Sequence, residues 1–232
     1  MDLFEAFPQL EHVTLPALKG RHLRLISVSG LVYDERAFYL EPSGQEFWGR
    51  LPDGQVSIGI GAAKVLPNPG QSPYRALSAQ LRRAWHCEVG LVPVGHTYLL
   101  LEDQSLAVLS TVAAELPFMF LFTPPRLAGA QVPDALVQAV YLLPVERWLR
   151  PPSQLPLLQV ERQALVDFLA PEDWLVEDLV QQPWARLSRQ LRIPDRARAR
   201  PVLAVRALRG LAEQGILQMS LPLVLGLGAK ST

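Results

Sequence analysis

Between residues 58 and 91 the chain reads IGIGAAKVLPNPGQSPYRALSAQLRRAWHCEVGL, and few folds accommodate that order of residues. Gly59 and Gly61 end a strand, a turn of Pro, Asn and Gly follows, and a helical run then stops at Gly90. Leu77, Leu81, Ala84, Trp85 and Glu88 recur at i, i+4, i+7, i+8 and i+11, so the apolar ones among them form a core stripe. The opposite side carries Gln80, Arg82, Arg83, His86 and Cys87. Arg82 and Arg83 read either as an ordinary solvated face or as cations that meet phosphate directly, without a metal.

The rhythm Gly70-x-Ser72-Pro73-x-x-Ala76-Leu77, a helix, and a closing Gly90-Leu91 resembles the Nudix box, the strand-loop-helix of nucleoside diphosphate hydrolases. That family's pattern is G-x5-E-x7-R-E-U-x-E-E-x-G-U, with U aliphatic, and its carboxylates hold magnesium against a pyrophosphate. Aligned from the C-terminal end, Glu88 is the one acid kept, with Ala84 and Cys87 in two other acidic places. Aligned from the N-terminal end, Gln71 and Gln80 stand where glutamates belong, and Arg83 and Ala84 replace the Glu pair. The two alignments differ by about one helical turn. Either way the shape of the box is kept and its metal cage is not, so no metal, no cofactor and no catalysis are expected.

Composition narrows the class. Apolar residues make up 49% of 232, enough for a sizeable core, and 21 prolines predict frequent breaks. A single cysteine excludes a disulfide framework and a Cys-based zinc cluster, and four scattered histidines show no ligand spacing. The acidic start Met1-Asp2-Leu3-Phe4-Glu5 does not read as a signal peptide. The apolar stretch 106–122 is interrupted by Ser110, Thr111, Glu115 and Pro117, so it reads as two strands rather than a membrane span. A cytoplasmic protein is expected.

The charge is unevenly spread. Residues 183–232 hold eight arginines and Lys230 against Asp195 and Glu213, a net +7, which leaves −7 on the remainder of a chain that is neutral overall. Such asymmetry points the C-terminal part toward a polyanion.

Taken in order, residues 22–40 alternate around the turn Asp34-Glu35-Arg36 and predict a hairpin, and 55–60 predict a short strand entering the box. Residues 95–101, 105–115 and 117–123 are strand-like, with Glu102-Asp103 as a turn, and 135–148 resemble the late strand of Nudix domains. The Pro-rich run 150–156 predicts a boundary. Beyond it, helices are expected over 157–169, 171–180, 184–191 and 202–214, the last ending at Gly215, with a short hairpin over 216–225.

Residues 184–193 and 207–217 resemble the first and recognition helices of a winged helix-turn-helix. The expected architecture is therefore an α/β Nudix-like mixed sheet with flanking helices over 1–150, followed by a mostly α winged-helix domain over 151–232. That pairing resembles the Nudix-related transcriptional regulators of NAD metabolism, in which a Nudix fold senses an ADP-ribose-type nucleotide and the winged helix binds operator DNA as a dimer. The resemblance implies double-stranded DNA as partner, a nucleotide-type small ligand, and a homodimer. It places Arg200 and Arg206 at the groove and Arg186, Arg189, Arg196 and Arg198 on phosphates. Pro201, Val202 and Leu203 occupy the usual reading positions and offer few hydrogen bonds, so binding would be largely electrostatic. Two alternatives stay open: a nucleotide pyrophosphatase whose metal ligands lie outside the box, and a scaffold that binds no nucleic acid.

Overall fold

The computed structural model describes residues 1–43, 45–46, 49–63, 72–110, 115–125, 132–188, 191, 193–194, 196–221 and 224–225. In chain order the elements are α1 (Leu3–Ala6), β1 (Leu23–Tyr33), β2 (Ala37–Ser43), β3 (Gln45–Glu46), β4 (Gly49–Arg50), β5 (Gln55–Gly59), β6 (Gly61–Ala63), α2 (Pro73–Ala84) and β7 (Cys87–Val89). There follow β8 (Thr97–Leu100), β9 (Leu106–Leu109), β10 (Met119–Thr123), β11 (Ala135–Trp148), β12 (Leu158–Glu161), α3 (Leu165–Leu169), β13 (Trp174–Leu175), α4 (Val176–Gln181), β14 (Ala185–Leu187), β15 (Arg198–Pro201), α5 (Leu203–Glu213) and α6 (Ile216–Ser220).

Among the described residues, thirteen of these strands belong to one mixed sheet whose spine runs β13-β15-β5-β2-β1-β11-β10-β8-β9. Its centre is the parallel pair of β1 and β11, registered from Leu23 with Ala135 to Tyr33 with Pro144. Period-two alternation sends the side chains of these strands to two faces. On β11, Val137, Ala139, Tyr141 and Leu143 enter one apolar cluster, whereas Val140 and Leu142 enter the other.

The first face is covered by α2 and by the N-terminal segment. Residues 1–20 dock through the buried Leu3, Phe7, Leu10 and Leu18, with Asp2 capping α1 by accepting from the Phe4 amide at 2.8 Å. Helix α2 buries Leu77, Leu81 and Trp85 as the stripe predicts, although Ala84 is exposed. Two glycines make that seat possible. Gly30 and Gly61 lie opposite each other in the β1–β6 pair. A Cβ on Gly61 would come within 2.6 Å of Leu81, and one on Gly30 within 2.2 Å of Leu143. The helix ends earlier than expected, at Ala84. His86 takes a left-handed φ of 49°, and residues 87–89 turn into β7, paired with the late strand β11.

The second face overturns the expectation of a mostly α winged-helix domain over 151–232. The segment expected as a helix over 157–169 opens as β12, which pairs with β2 from Leu158 opposite Leu40 to Glu161 opposite Ala37. The expected first helix of the motif contains β14, paired with β12, and the expected turn before the second helix ends in β15, paired in parallel with β5. The edges of β2 and β5 carry backbone groups that need partners, and these pairings satisfy them. That demand overrides the helical periodicity of short segments. The one long helix of this region is real: α5 runs Leu203–Glu213, one residue inside the expected 202–214 at each end, and Gly215 follows at φ 72°. The helix packs as a layer on the sheet rather than inside a mostly α domain. Ala204, Val205, Ala207, Leu208, Leu211 and Ala212 are buried in the cluster that also holds Val140, Leu142 and Ile58. Residues 216–220 form α6 rather than a hairpin strand.

Candidate functional site

The arginine-rich run Arg196-Ala197-Arg198-Ala199-Arg200 alternates strictly. Ala197 and Ala199 are 1% exposed and face the second cluster, while all three arginines are exposed. A strand buries alternate residues, so β15 displays Arg198 and Arg200 on the sheet side opposite α5, about 6.8 Å apart along the strand. Arg198 pairs with Asp173 at 3.1 Å, and Arg200 donates to Gln55 Oε1 at 3.3 Å. Arg196 and Arg186 make no side-chain hydrogen bond or ion pair among the described residues.

Register places Arg186 on the same side of the sheet. It lies opposite Gln159 in the β12–β14 pair, and Gln159 lies opposite Tyr39, whose side chain belongs to the first-face cluster. Ser43, further along β2, lies opposite Ser57 on β5, and Ser57 lies opposite Arg200. From Arg186 to Arg200 is four strand spacings across and four residues along, roughly 24 Å over the sheet. Glu41 and Glu161 share this side, so the cationic ground lies on its two flanks.

The remaining predicted contacts fall elsewhere. Arg206 sits on the exposed stripe of α5 with Leu203 and Glu213. Because α5 packs on the second face, this stripe looks away from the β15 arginines, and the structure does not bring Arg206 and Arg200 together. Arg209 is held by Glu172 at 3.7 Å and Glu213 at 3.2 Å, which offsets part of the local positive charge. Arg189 lies outside the described residues. Trp174 and Trp184 meet edge to face at 5.8 Å, and Trp174 Nε1 donates to the Phe168 carbonyl, so both act as packing anchors.

At the degenerate box, Glu88 is already engaged. Arg147 Nε donates to its Oε2 at 2.9 Å, the second Arg147 donor lies at 2.8 Å, and Arg82 reaches Oε1 at 3.4 Å. The Arg147 hydrogen bond, ahead of the opposing effect of desolvation, holds the Glu88 carboxyl below its ordinary range. The carboxylate is therefore an ion-pair partner of Arg82 rather than an open ligand beside it. Arg83 donates to Gln80 at 3.0 Å on the exposed side of α2. Gln71 lies outside the described residues. Among the described residues no group of three or more His, Cys, Asp and Glu side chains could hold a metal ion. Cys87 is buried, which pushes its thiol up to about 12, far from a reactive thiolate. No helix among the described residues is long and apolar enough to cross a membrane.

Two residues have roles the sequence reading missed. Arg147 is 59 positions from Glu88, and only the pairing of β7 with β11 joins them. Asp34 does more than turn the hairpin. It accepts the Arg36 and Ala37 amides on one oxygen, and Tyr39 OH at 2.5 Å and Trp148 Nε1 at 3.2 Å on the other. Desolvation alone would push its carboxyl up, but these bonds outweigh it and hold the group below its ordinary value. Tyr39 is pushed up by burial and by Asp34.

No protein-family model matches the chain, and neither a curated protein nor a solved structure matches it.

Proposed function

We propose that this chain is a non-catalytic DNA-binding protein that holds the duplex backbone through a sheet face rather than through a recognition helix. The observation that supports it is the common facing of Arg186, Arg198 and Arg200, with Arg196 next to them, on strands from two flanks of one surface. The backbone spacing of Arg198 and Arg200 along β15, about 6.8 Å, is twice the 3.4 Å phosphate rise of a single duplex strand. Arginine suits phosphate because its planar fork can donate two hydrogen bonds. Among the described residues the face offers Gln55, Gln159 and serines but no exposed aromatic in register with the arginines, so the contacts position the duplex and read little sequence.

The sequence resemblance of 58–91 to the Nudix box supports a nucleotide-type small ligand and a regulatory use. The engaged state of Glu88 supports the absence of metal-dependent hydrolysis. Turnover of ADP-ribose with magnesium at about 1 per second or faster would contradict that part of the reading.

The test is a titration of the full chain against labelled duplex at low salt. Replacing Arg196, Arg198 and Arg200 together by Ala is expected to weaken binding by about tenfold or more on every sequence, as loss of phosphate contacts does. Arg206→Ala, on the other surface, is expected to leave binding unchanged. If Arg206→Ala weakens binding and the triple replacement does not, the sheet-face reading is wrong.

A further inference from the structure

The sheet ends at β9, Leu106–Leu109, which pairs with β8 on one side only among the described residues. Its outer edge can be worked out from the hairpin. The Leu101 amide donates to the Ser105 carbonyl, and Gln104, at φ 66°, gives the left-handed residue of a three-residue loop. Positions 101 and 105 are thus a hydrogen-bonded pair. Alternation then makes Leu99 with Ala107 hydrogen-bonded, and Leu100 with Leu106 and Tyr98 with Val108 non-hydrogen-bonded. An independent bond agrees: the Tyr98 amide donates away from β9, to the Phe118 carbonyl at 2.9 Å. Leu106 and Val108 therefore direct both of their backbone donors and acceptors outward.

This edge, four residues long, lacks the charged and prolyl residues that blunt many sheet edges. The sequence Leu-Ala-Val-Leu holds no charge and no proline, and Val108 is 45% exposed. The geometry points to a second copy of this chain as its occupant, added antiparallel across a two-fold axis at Ala107. In that register Leu106 of one copy faces Val108 of the other, twice, so four outward backbone bonds are satisfied at once. Ala107 meets Ala107 as a non-hydrogen-bonded pair with Cα atoms about 4.5 Å apart, where a small side chain is an advantage. Charge permits it: the chain is neutral overall, so two copies do not repel. The nearest exposed acid, Asp103, lies eight positions from its counterpart along the joined strands, about 27 Å. The continuous sheet would carry two arginine faces per dimer.

The test uses the full chain. Sedimentation at micromolar concentration is expected to give twice 25.8 kDa for the native protein and 25.8 kDa for Val108→Lys. Crosslinking fixes the register. Cys87 is the only cysteine and is buried, so an added thiol reports alone. Ala107→Cys is expected to form an intermolecular disulfide on mild oxidation. Val108→Cys is expected not to, because in this register its counterpart is about 8 Å away, beyond disulfide reach. A native monomer, a dimer untouched by Val108→Lys, or crosslinking of Val108→Cys in preference to Ala107→Cys would each overturn the proposal, and none of these bears on duplex binding by the β15 face.

Discussion

Leu208→Ala tests whether the C-terminal third completes the sheet's second face. Leu208 is 1% exposed on α5, in the cluster that holds Val140 and Leu142 of β11 and Ile58 of β5. Truncating a buried Leu removes its transfer free energy and leaves a cavity, at a cost of about 2–5 kcal/mol. Full burial and a layer backed by the sheet, which cannot collapse onto the void, put this site in the upper half of that range. For a chain of this length each kcal/mol lowers Tm by about 2–4 °C, so a drop of roughly 7–20 °C is expected. Differential scanning calorimetry should show one transition in both proteins, displaced as a whole. Arg206→Ala, on the exposed stripe of the same helix, is the control, with a change of about 0.5 kcal/mol or less. A separate domain would respond differently. Two transitions, with only one lowered by Leu208→Ala, would refute the shared layer.

Asp34→Asn removes one charged acceptor from Tyr39 and Trp148 and should cost about 1–3 kcal/mol in urea denaturation at neutral pH, whereas Glu35→Gln should cost nearly nothing. The native carboxyl of Asp34 titrates below its unfolded value of 3.8, so its contribution is present above that pH and is lost as pH falls through the native value; the difference between wild type and Asp34→Asn should shrink below about pH 4 in an acid titration followed by circular dichroism. His86→Gly should raise stability by up to about 1 kcal/mol, because a φ of 49° costs a side-chain-bearing residue more than it costs glycine; a loss would mean that the His86 side chain makes contacts that outweigh the backbone gain.

The sequence made the sheet's centre legible. β1 and β2 around Asp34, then β8, β10 and β11, alternate over enough residues for period two to stand out, and Gly or Asp punctuates their ends. Helix α5 was legible for the same reason at period 3.6, with Gly215 as its stop. What failed was short and non-local. β12 and β14 are four and three residues long, and they exist because β2 offers a long-range partner, which no window of local periodicity contains. The apolar stripe of α2 continues in phase to Glu88, so periodicity alone extends the helix to Gly90, although β7 pairing claims 87–89. The site was half legible. Arg-Ala-Arg-Ala-Arg over 196–200 is itself a period-two pattern, and reading it as a strand rather than a turn would have put its arginines on one face. The groove contact of Arg206 rests on a winged-helix domain that the structure replaces with a layer on the sheet.

The salt dependence of duplex affinity bears most directly on the sheet-face account. Four arginines on phosphates, Arg186, Arg196, Arg198 and Arg200, give a slope of log K against log salt near −3.6, or about a 150-fold loss between 50 and 200 mM. Arg198→Ala with Arg200→Ala should bring the slope to about −1.8 with the fold intact by circular dichroism. A native slope near zero, or a slope that the double replacement leaves unchanged, would contradict the account.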